Sequence, residues 1–308
     1  MATRIGRKLR RKARRALGWL FPRPAPRIVM TLLCRNERDI IAEQVAFHLA
    51  MGVDFVIAMD NASEDGTPTL LAPFARTGKL KLLHQPDRSY DQGGWVTGMA
   101  RMAAREHGAD WIINSDADEF WWPAGKDLKA TFAALDKRVN IVVAERRNFR
   151  PPISDQGPFY ERMLVRELAS EKFRGGALEP KVAHRAYDDV TVKHGNHGVL
   201  LGERKLRPAP AGTIEILHFP VRSFAQWSRK ISEGAAILQR HPDHPPHVTA
   251  GWRHMNEQYL EQGRLRKFYD DLAMEPGRVA EAPDRANLLV DTRLRDLLRG
   301  VRAGPDQR

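Results

Sequence analysis

From residue 28 onward, two hydrophobic rhythms alternate along this chain. Ile28-Val29-Met30-Thr31-Leu32-Leu33 is a nearly unbroken apolar run, the pattern of a strand covered on both faces. Over residues 38–51 the apolar positions Ile40, Ile41, Val45 and Leu49 form one helical stripe, with Gly52 placed to end it. Phe55 to Met59 reads as a second strand, and the polar turn 60–67 leads into a helix through about Ala75. Leu80 to Leu83 is a third strand, residues 95–107 a helix, and Trp111 to Asn114 a fourth strand. Such alternation calls for a mostly parallel, right-handed, doubly wound α/β sheet with helices on both faces. These sheets bind ligands outside the carboxyl ends of their strands. There the polar loops Arg35-Asn36-Glu37, Asp60-Asn61 and Asp116-Ala117-Asp118 follow strands one, two and four.

Beyond residue 127 the rhythm loosens. Residues 128–135 read as a helix and 141–145 as a strand, after which 150–215 mix Gly, Pro, His and charge around strand-like pieces at 163–166, 190–193 and 214–217. The expectation is an antiparallel extension with long loops. Helical patterns return at 223–240 and 253–272, separated by the loop His241-Pro242-Asp243-His244-Pro245-Pro246-His247. Upstream, residues 1–21 read as a basic helix with Leu9, Ala13, Ala16, Leu17 and Leu20 on one face, and Pro22, Pro24 and Pro26 follow as a stiff linker. The expected organisation is an arm over 1–26 and an α/β half over 27–150. An extension with C-terminal helices of the same domain then runs over 151–299, before a disordered tail over 300–308.

Composition changes this picture in one place. Hydrophobic residues at 42% and charged residues at 29% are ordinary for a globular chain. A single cysteine, Cys34, excludes an internal disulfide framework and fits a reducing compartment. No apolar run reaches membrane-spanning length, and no apolar segment of the secretory type follows the basic start. The net charge is +12, but residues 1–27 hold ten Lys or Arg and no acid, so 12 − 10 leaves +2 for the rest. The basic character belongs to the arm. With Trp19, Leu20 and Phe21 beside that charge, an anionic membrane surface is a candidate partner through residues 1–21, against a plain solubilising tail. The expected location is cytoplasmic, with the inner membrane face as an extension of that reading. A near-neutral domain and an arm with so few aromatics predict no specific nucleic-acid partner.

The chemistry concentrates at Asp116-Ala117-Asp118-Glu119-Phe120. Two carboxylates two residues apart at a strand end share one side of an extended chain and repel each other. A hard divalent cation, Mg²⁺ or Mn²⁺, relieves that repulsion and is bound by one or two carboxylates together with substrate phosphates.

Three ordered segments resemble the GT-A glycosyltransferases of the family 2-like bacterial group. These are Thr31-Leu32-Leu33-Cys34-Arg35-Asn36-Glu37, Asp60-Asn61-Ala62-Ser63-Glu64-Asp65-Gly66-Thr67 and Asp116-Ala117-Asp118-Glu119-Phe120, and the resemblance runs over about residues 27–240. It implies a GT-A fold and a nucleotide-sugar donor, most often a UDP-sugar, with Mn²⁺ or Mg²⁺ as cofactor. The acceptor it implies is a glycan, lipid or other hydroxyl compound, as in cell-envelope chemistry. By the family pattern Asp60, with Asn61 beside it, contacts the base, and Asn36 and Glu37 shape the base pocket. Asp116 reaches the ribose and metal side, and Asp118 holds the metal. His218, in Ile214-Glu215-Ile216-Leu217-His218-Phe219-Pro220, resembles the late histidine that completes such metal sites. Arg35, Arg222 and Lys230 are candidates for the diphosphate, or else ordinary surface charges, and Asp65 reads as a helix cap. The downstream carboxylate pair of inverting members is missing between Phe120 and Glu215. Glu179 and His197 are therefore the candidates for proton transfer, with Asp155, Glu203 and His194 behind them. A nucleotidyltransferase is the rival enzyme, but the loop after strand one has no glycine to cradle a triphosphate.

Overall fold

The computed structural model describes residues 25–87, 91–240 and 246–302. The arm expected over residues 1–21 and the last residues of the tail lie outside them. Strands β1 (Ile28–Cys34), β2 (Phe55–Asp60), β3 (Leu80–His84) and β4 (Trp111–Asp116) are joined by helices α1 (Ile41–Ala50), α2 (Thr67–Arg76) and α3 (Gln92–Arg105). β5 (Glu119–Pro123), α4 (Leu128–Ala134), β6 (Ile141–Asn148), α5 (Phe159–Arg162), β7 (Val165–Glu167) and β8 (Lys181–Arg185) follow. Then come β9 (Val190–Val192), β10 (Val199–Leu201), β11 (Ile214–His218), α6 (Phe224–Arg240), α7 (Pro246–Met255), α8 (Leu265–Leu272), β12 (Leu288–Val290) and α9 (Arg293–Arg302).

The main sheet has the order β3-β2-β1-β4-β8-β6-β11-β5. β8 and β5 run antiparallel to their neighbours, and the other six strands run one way. This is the expected mostly parallel α/β sheet of the GT-A type. The continuous apolar runs have a simple cause. Ile28, Met30 and Leu32 point into a core with Ile41, Val45 and Phe47 of α1, while Val29 points through the sheet to Val96, Met99 and Ala103 of α3. Trp111 and Ile113 divide from Ile112 in the same way. Both faces are covered, so a polar alternation never appears.

Three elements depart from expectation. β8 was expected among loops, yet it threads the centre of the sheet between β4 and β6. β5 immediately follows the acidic turn and pairs antiparallel with β11, so Asp116 and Asp118 do not stand side by side on one extended strand. The helix expected over 253–272 is broken: α7 ends at Met255, a π-helical turn covers Asn256–Leu260, and α8 starts at Leu265. No helix among the described residues is long and apolar enough to cross a membrane.

Candidate active site

Why the turn after β4 matters follows from strand pairing. β5 and β11 are in register with Glu119 opposite His218, and the Phe219 N–H donates to the Asp118 carbonyl at 2.9 Å. β11 and β6 are in register with His218 opposite Asn148. Three residues far apart in sequence thus meet at one sheet end. The Nδ1–H of His218 donates to Asn148 Oδ1 at 2.6 Å, which leaves the Nε2 lone pair directed at Asp118 Oδ1, 3.6 Å away. Burial pushes the imidazole down to about 4 despite the adjacent Asp118 carboxylate, so it is neutral. Burial would raise Asp118, yet the Lys230 ammonium beside it holds it well below the usual carboxylate range. An ionised carboxylate and an imidazole lone pair therefore face each other. A cation resolves that arrangement, and Lys230 Nζ, 3.0 Å from Asp118 Oδ2, supplies one positive charge. Oxygen and imidazole donors with phosphate oxygens completing the shell suit Mn²⁺ or Mg²⁺.

Asp116 faces elsewhere. Its Oδ1 accepts from Gln92 Nε2 at 3.3 Å and Asn196 Nδ2 at 3.0 Å, and its Oδ2 accepts from Lys181 Nζ. Lys181 is buried and also lies 3.2 Å from Glu119 Oε1. Burial, outweighing Lys181, pushes Glu119 up to about 7. Of the expected metal set Asp116, Asp118 and His218, the structure brings Asp118 and His218 face to face, while the turn aims Asp116 at Gln92, Asn196 and Lys181. Among the described residues, no group of three His, Cys, Asp or Glu side chains is arranged to hold an ion unaided.

A cleft of about 380 Å³ runs past these groups. Arg35, Asn36, Glu37, Asn61, Asp116, Asp118 and His218 line it, all expected from sequence. Trp95, Arg146, Trp227, Arg229, Lys230, Glu233 and Trp252 line it as well. Of these, the sequence alone points only to Lys230. Asp60 sits behind Asn61, 1% exposed; its Oδ2 accepts from the Ser63 N–H at 3.3 Å while its Oδ1 is buried with no hydrogen-bond partner. Asn61 donates to the Gln85 and Asp87 carbonyls. Asp65 does not cap the helix as its first flanking residue. Gly66 takes that place at φ +91°, where a side chain would be strained, and Asp65 instead accepts from the Thr67 and Arg38 N–H groups.

Arg222 stands apart from the cleft lining. Expected at the diphosphate, it is fully buried, its guanidinium held by Glu37 at 2.5 Å, by Asp39 at 2.7 and 2.9 Å and by the Phe219 carbonyl. It is a tie between the β1–α1 loop and the start of α6. Glu37 is thereby spent on Arg222 and not on Arg35, which lies nearest Glu233. Glu179 and His197 lie 3.4 Å apart outside the cleft lining, one residue from Pro180 and Asn196 respectively; Glu179 also pairs with Lys172. Asp155 and Glu203 are on exposed loops away from the cleft lining. The overlooked signal was a modest one: the Arg229-Lys230-x-x-Glu233 spacing that stacks three charges on one helix turn.

A family model described as glycosyl transferase family 2 matches residues 32–189, just over half of the 308. Among solved structures, Staphylococcus aureus TarS 1–349 in complex with UDP is 14% identical with a TM-score of 0.41, covering 90% of this chain and 87% of that one. The mannosyltransferase PcManGT from Pyrobaculum calidifontis, in complex with GDP-Man and Mn²⁺, is 15% identical with a TM-score of 0.40, covering 94% and 91%. Glucosyl-3-phosphoglycerate synthase from Mycobacterium tuberculosis is 16% identical with a TM-score of 0.30, covering 39% of this chain, and this chain spans less than half (44%) of its length. No curated protein matches the sequence.

Proposed function

The chain belongs to glycosyl transferase family 2, and we propose that it moves a sugar from a nucleotide-diphosphate donor, a UDP-sugar, to a hydroxyl group of a glycan or lipid acceptor with the help of Mn²⁺ or Mg²⁺. The observation that carries this reading is the facing pair Asp118 and His218, locked by Asn148 at the sheet end beside the cleft. When bound there, the ion supplies Lewis-acid stabilisation of the departing diphosphate. Asp118 and His218 would hold it. Lys230, whose ammonium lies 3.0 Å from that carboxylate, is placed to add fixed positive charge to the leaving group. Lys181, Gln92 and Asn196 fix Asp116 so that its remaining surface faces the donor's ribose and sugar. Asp60, behind the cleft-lining Asn61, is the residue whose unpartnered Oδ1 would accept a nucleobase N–H. His197 and Glu179, 3.4 Å apart outside the cleft lining, are the candidates to take the acceptor's proton; burial, with Lys181 next, pushes this histidine down to about 4.

The deciding measurement is turnover of a panel of UDP- and GDP-sugars by wild type, Asp118→Asn and His218→Ala, each titrated with Mn²⁺. The reading requires metal-dependent release of the nucleoside diphosphate, lost in both variants while the fold persists. Unchanged turnover in EDTA would end it.

A further inference from the structure

We infer that Arg35, Asn36 and Arg229 form a cradle for a phosphate-class anion at the carboxyl end of β1, and that the chain's own Glu233 carboxylate fills it as a stand-in. Three donors from two elements converge on this one carboxylate. Asn36 Nδ2 donates to Glu233 Oε1 at 2.8 Å, Arg35 Nε lies 3.7 Å from Oε2, and Arg229 Nε lies 4.0 Å from Oε1. Arg229 Nη2 is itself fixed by the Asn36 carbonyl at 2.9 Å.

Two features separate a stand-in from an ordinary surface ion pair. Arg35 Nε is buried and makes no hydrogen bond; at 3.7 Å the Glu233 carboxylate attracts it without satisfying it. A desolvated donor left open is costly, and it persists where a ligand completes it. Two guanidinium groups around one anion also suit the several oxygens of a phosphate better than they suit one carboxylate. Charge supports the same conclusion. Among the described residues lining the cleft, four acidic side chains balance four basic ones, with Glu233 among the acids. Swinging Glu233 out leaves the cleft positive, as a dianion requires. Its side chain, 32% exposed on α6, has solvent to swing into.

The cradle stands on this geometry alone. Its assignment to the donor's diphosphate rests on the proposed function. An internal occupant lowers apparent affinity by the fraction of time it fills the site. Glu233→Gln keeps the shape and the acceptor for Asn36 but removes the charge.

The test is calorimetry on the full chain with inorganic pyrophosphate, UDP and GDP, with and without Mn²⁺, on wild type, Glu233→Gln and Glu233→Gln/Arg35→Gln. Pyrophosphate should bind Glu233→Gln about fivefold or more tightly than wild type, the lower end of ordinary coupling between competing ligands, and the double variant should lose that gain. Equal or weaker binding to Glu233→Gln, or a gain that survives Arg35→Gln, overturns the cradle. With the gain present, UDP that displaces pyrophosphate supports the donor's diphosphate as the ligand, whereas UDP that binds alongside it supports a phosphorylated acceptor. Pyrophosphate gaining affinity while neither nucleotide binds any form keeps the cradle and overturns the nucleotide reading. Melting curves of all three proteins exclude unfolding as the cause.

Discussion

The two walls of the cleft are held in place by different forces. The sheet wall stands on interlocked apolar residues, with Ile28, Val29, Met30, Trp111, Ile112 and Ile113 all at 0% exposure and packed into both faces. The helical wall of α6, α7 and α8 has its own small cluster of Val221, Trp227, Ile231, Met255, Leu265 and Tyr269. It meets the sheet's loops at the cleft through polar contacts: Arg222 to Glu37 and Asp39, Arg229 to Asn36, Lys230 to Asp118, Glu233 to Asn36. Apolar packing is non-directional and fixes a wall. Ion pairs are directional and can exchange one partner for another. The difference is that one wall is fixed by apolar packing, while the other meets it through polar contacts of unequal burial.

Arg222 is where the two walls are tied most firmly, so breaking it should have the largest effect. Removing one partner of a buried ion pair typically costs about 3–5 kcal/mol, because the remaining charges stay buried. Arg222→Ala should therefore lose about that much stability in urea unfolding, while Lys230→Ala, whose ammonium is more than a third exposed, should lose less. A stable Arg222→Ala that fails only in nucleotide binding would restore Arg222 as a ligand residue and erase the contrast.

Acid should next attack the sheet wall. His48 is fully buried: its Nδ1–H donates to the Gln44 carbonyl at 2.8 Å, and its Nε2 accepts from the Trp121 N–H at 3.2 Å. His184 is equally buried between β4 and β6. Burial pushes both down to about 4. Unfolded, each titrates near 6.5, so between about pH 6.5 and 4 the unfolded chain binds protons that the folded chain refuses. Stability then rises with pH across that window and falls as pH drops through it, by up to about 3 kcal/mol per histidine. Unfolding free energy measured from pH 7 to pH 4.5 should show that slope, reduced in His48→Gln. A flat profile would mean that the imidazoles gain protons without cost.

At the junction of the walls, Asp118→Asn removes a charge and leaves the shape. Turnover should fall by about 10²-fold or more, the scale of losing one preorganised electrostatic stabiliser. The melting temperature should hardly move, since Lys230 is the partner released. A drop in melting temperature with turnover intact would make the Lys230–Asp118 pair a structural tie like Arg222.

How much of this was legible follows from the same contrast. The sheet wall reads directly from sequence, because continuous apolar runs and the polar residues that end them are local signals. Asn36, Asn61, Asp118 and His218 were found at the ends of such runs, and all line the cleft. The partners of those residues were not legible. Asn148 reaches His218 through the β6–β11 register, and Lys181 reaches Asp116 because β8 enters the sheet between β4 and β6. Nothing near residue 181 announces that insertion. Arg222 and Lys230 look alike in sequence, eight positions apart around α6. Only packing separates a fully enclosed guanidinium from an ammonium at the edge of the cleft.

The smallest effect belongs to Asp60, which tests the sheet wall without touching the helical one. Its Oδ1 is buried and unpartnered, while its Oδ2 accepts from the Ser63 N–H and lies 3.5 Å from His84 Nδ1. A buried acceptor without a donor weakens the empty protein and strengthens the complex with any ligand that supplies the donor. A nucleobase N–H is such a donor. Asp60→Asn keeps the volume and one oxygen, but it can set an amide N–H where the acceptor stood. The nucleotide's dissociation constant should rise by the equivalent of about 1–3 kcal/mol, the range for leaving a buried polar group unpaired. Thermal stability should stay level or increase, because the unpartnered carboxylate oxygen is gone. Calorimetry with UDP and differential scanning on the same two proteins read the two quantities separately. If affinity is unchanged while stability drops, Asp60 serves the turn after β2 through Ser63 and His84, and the sheet wall binds the base by other means.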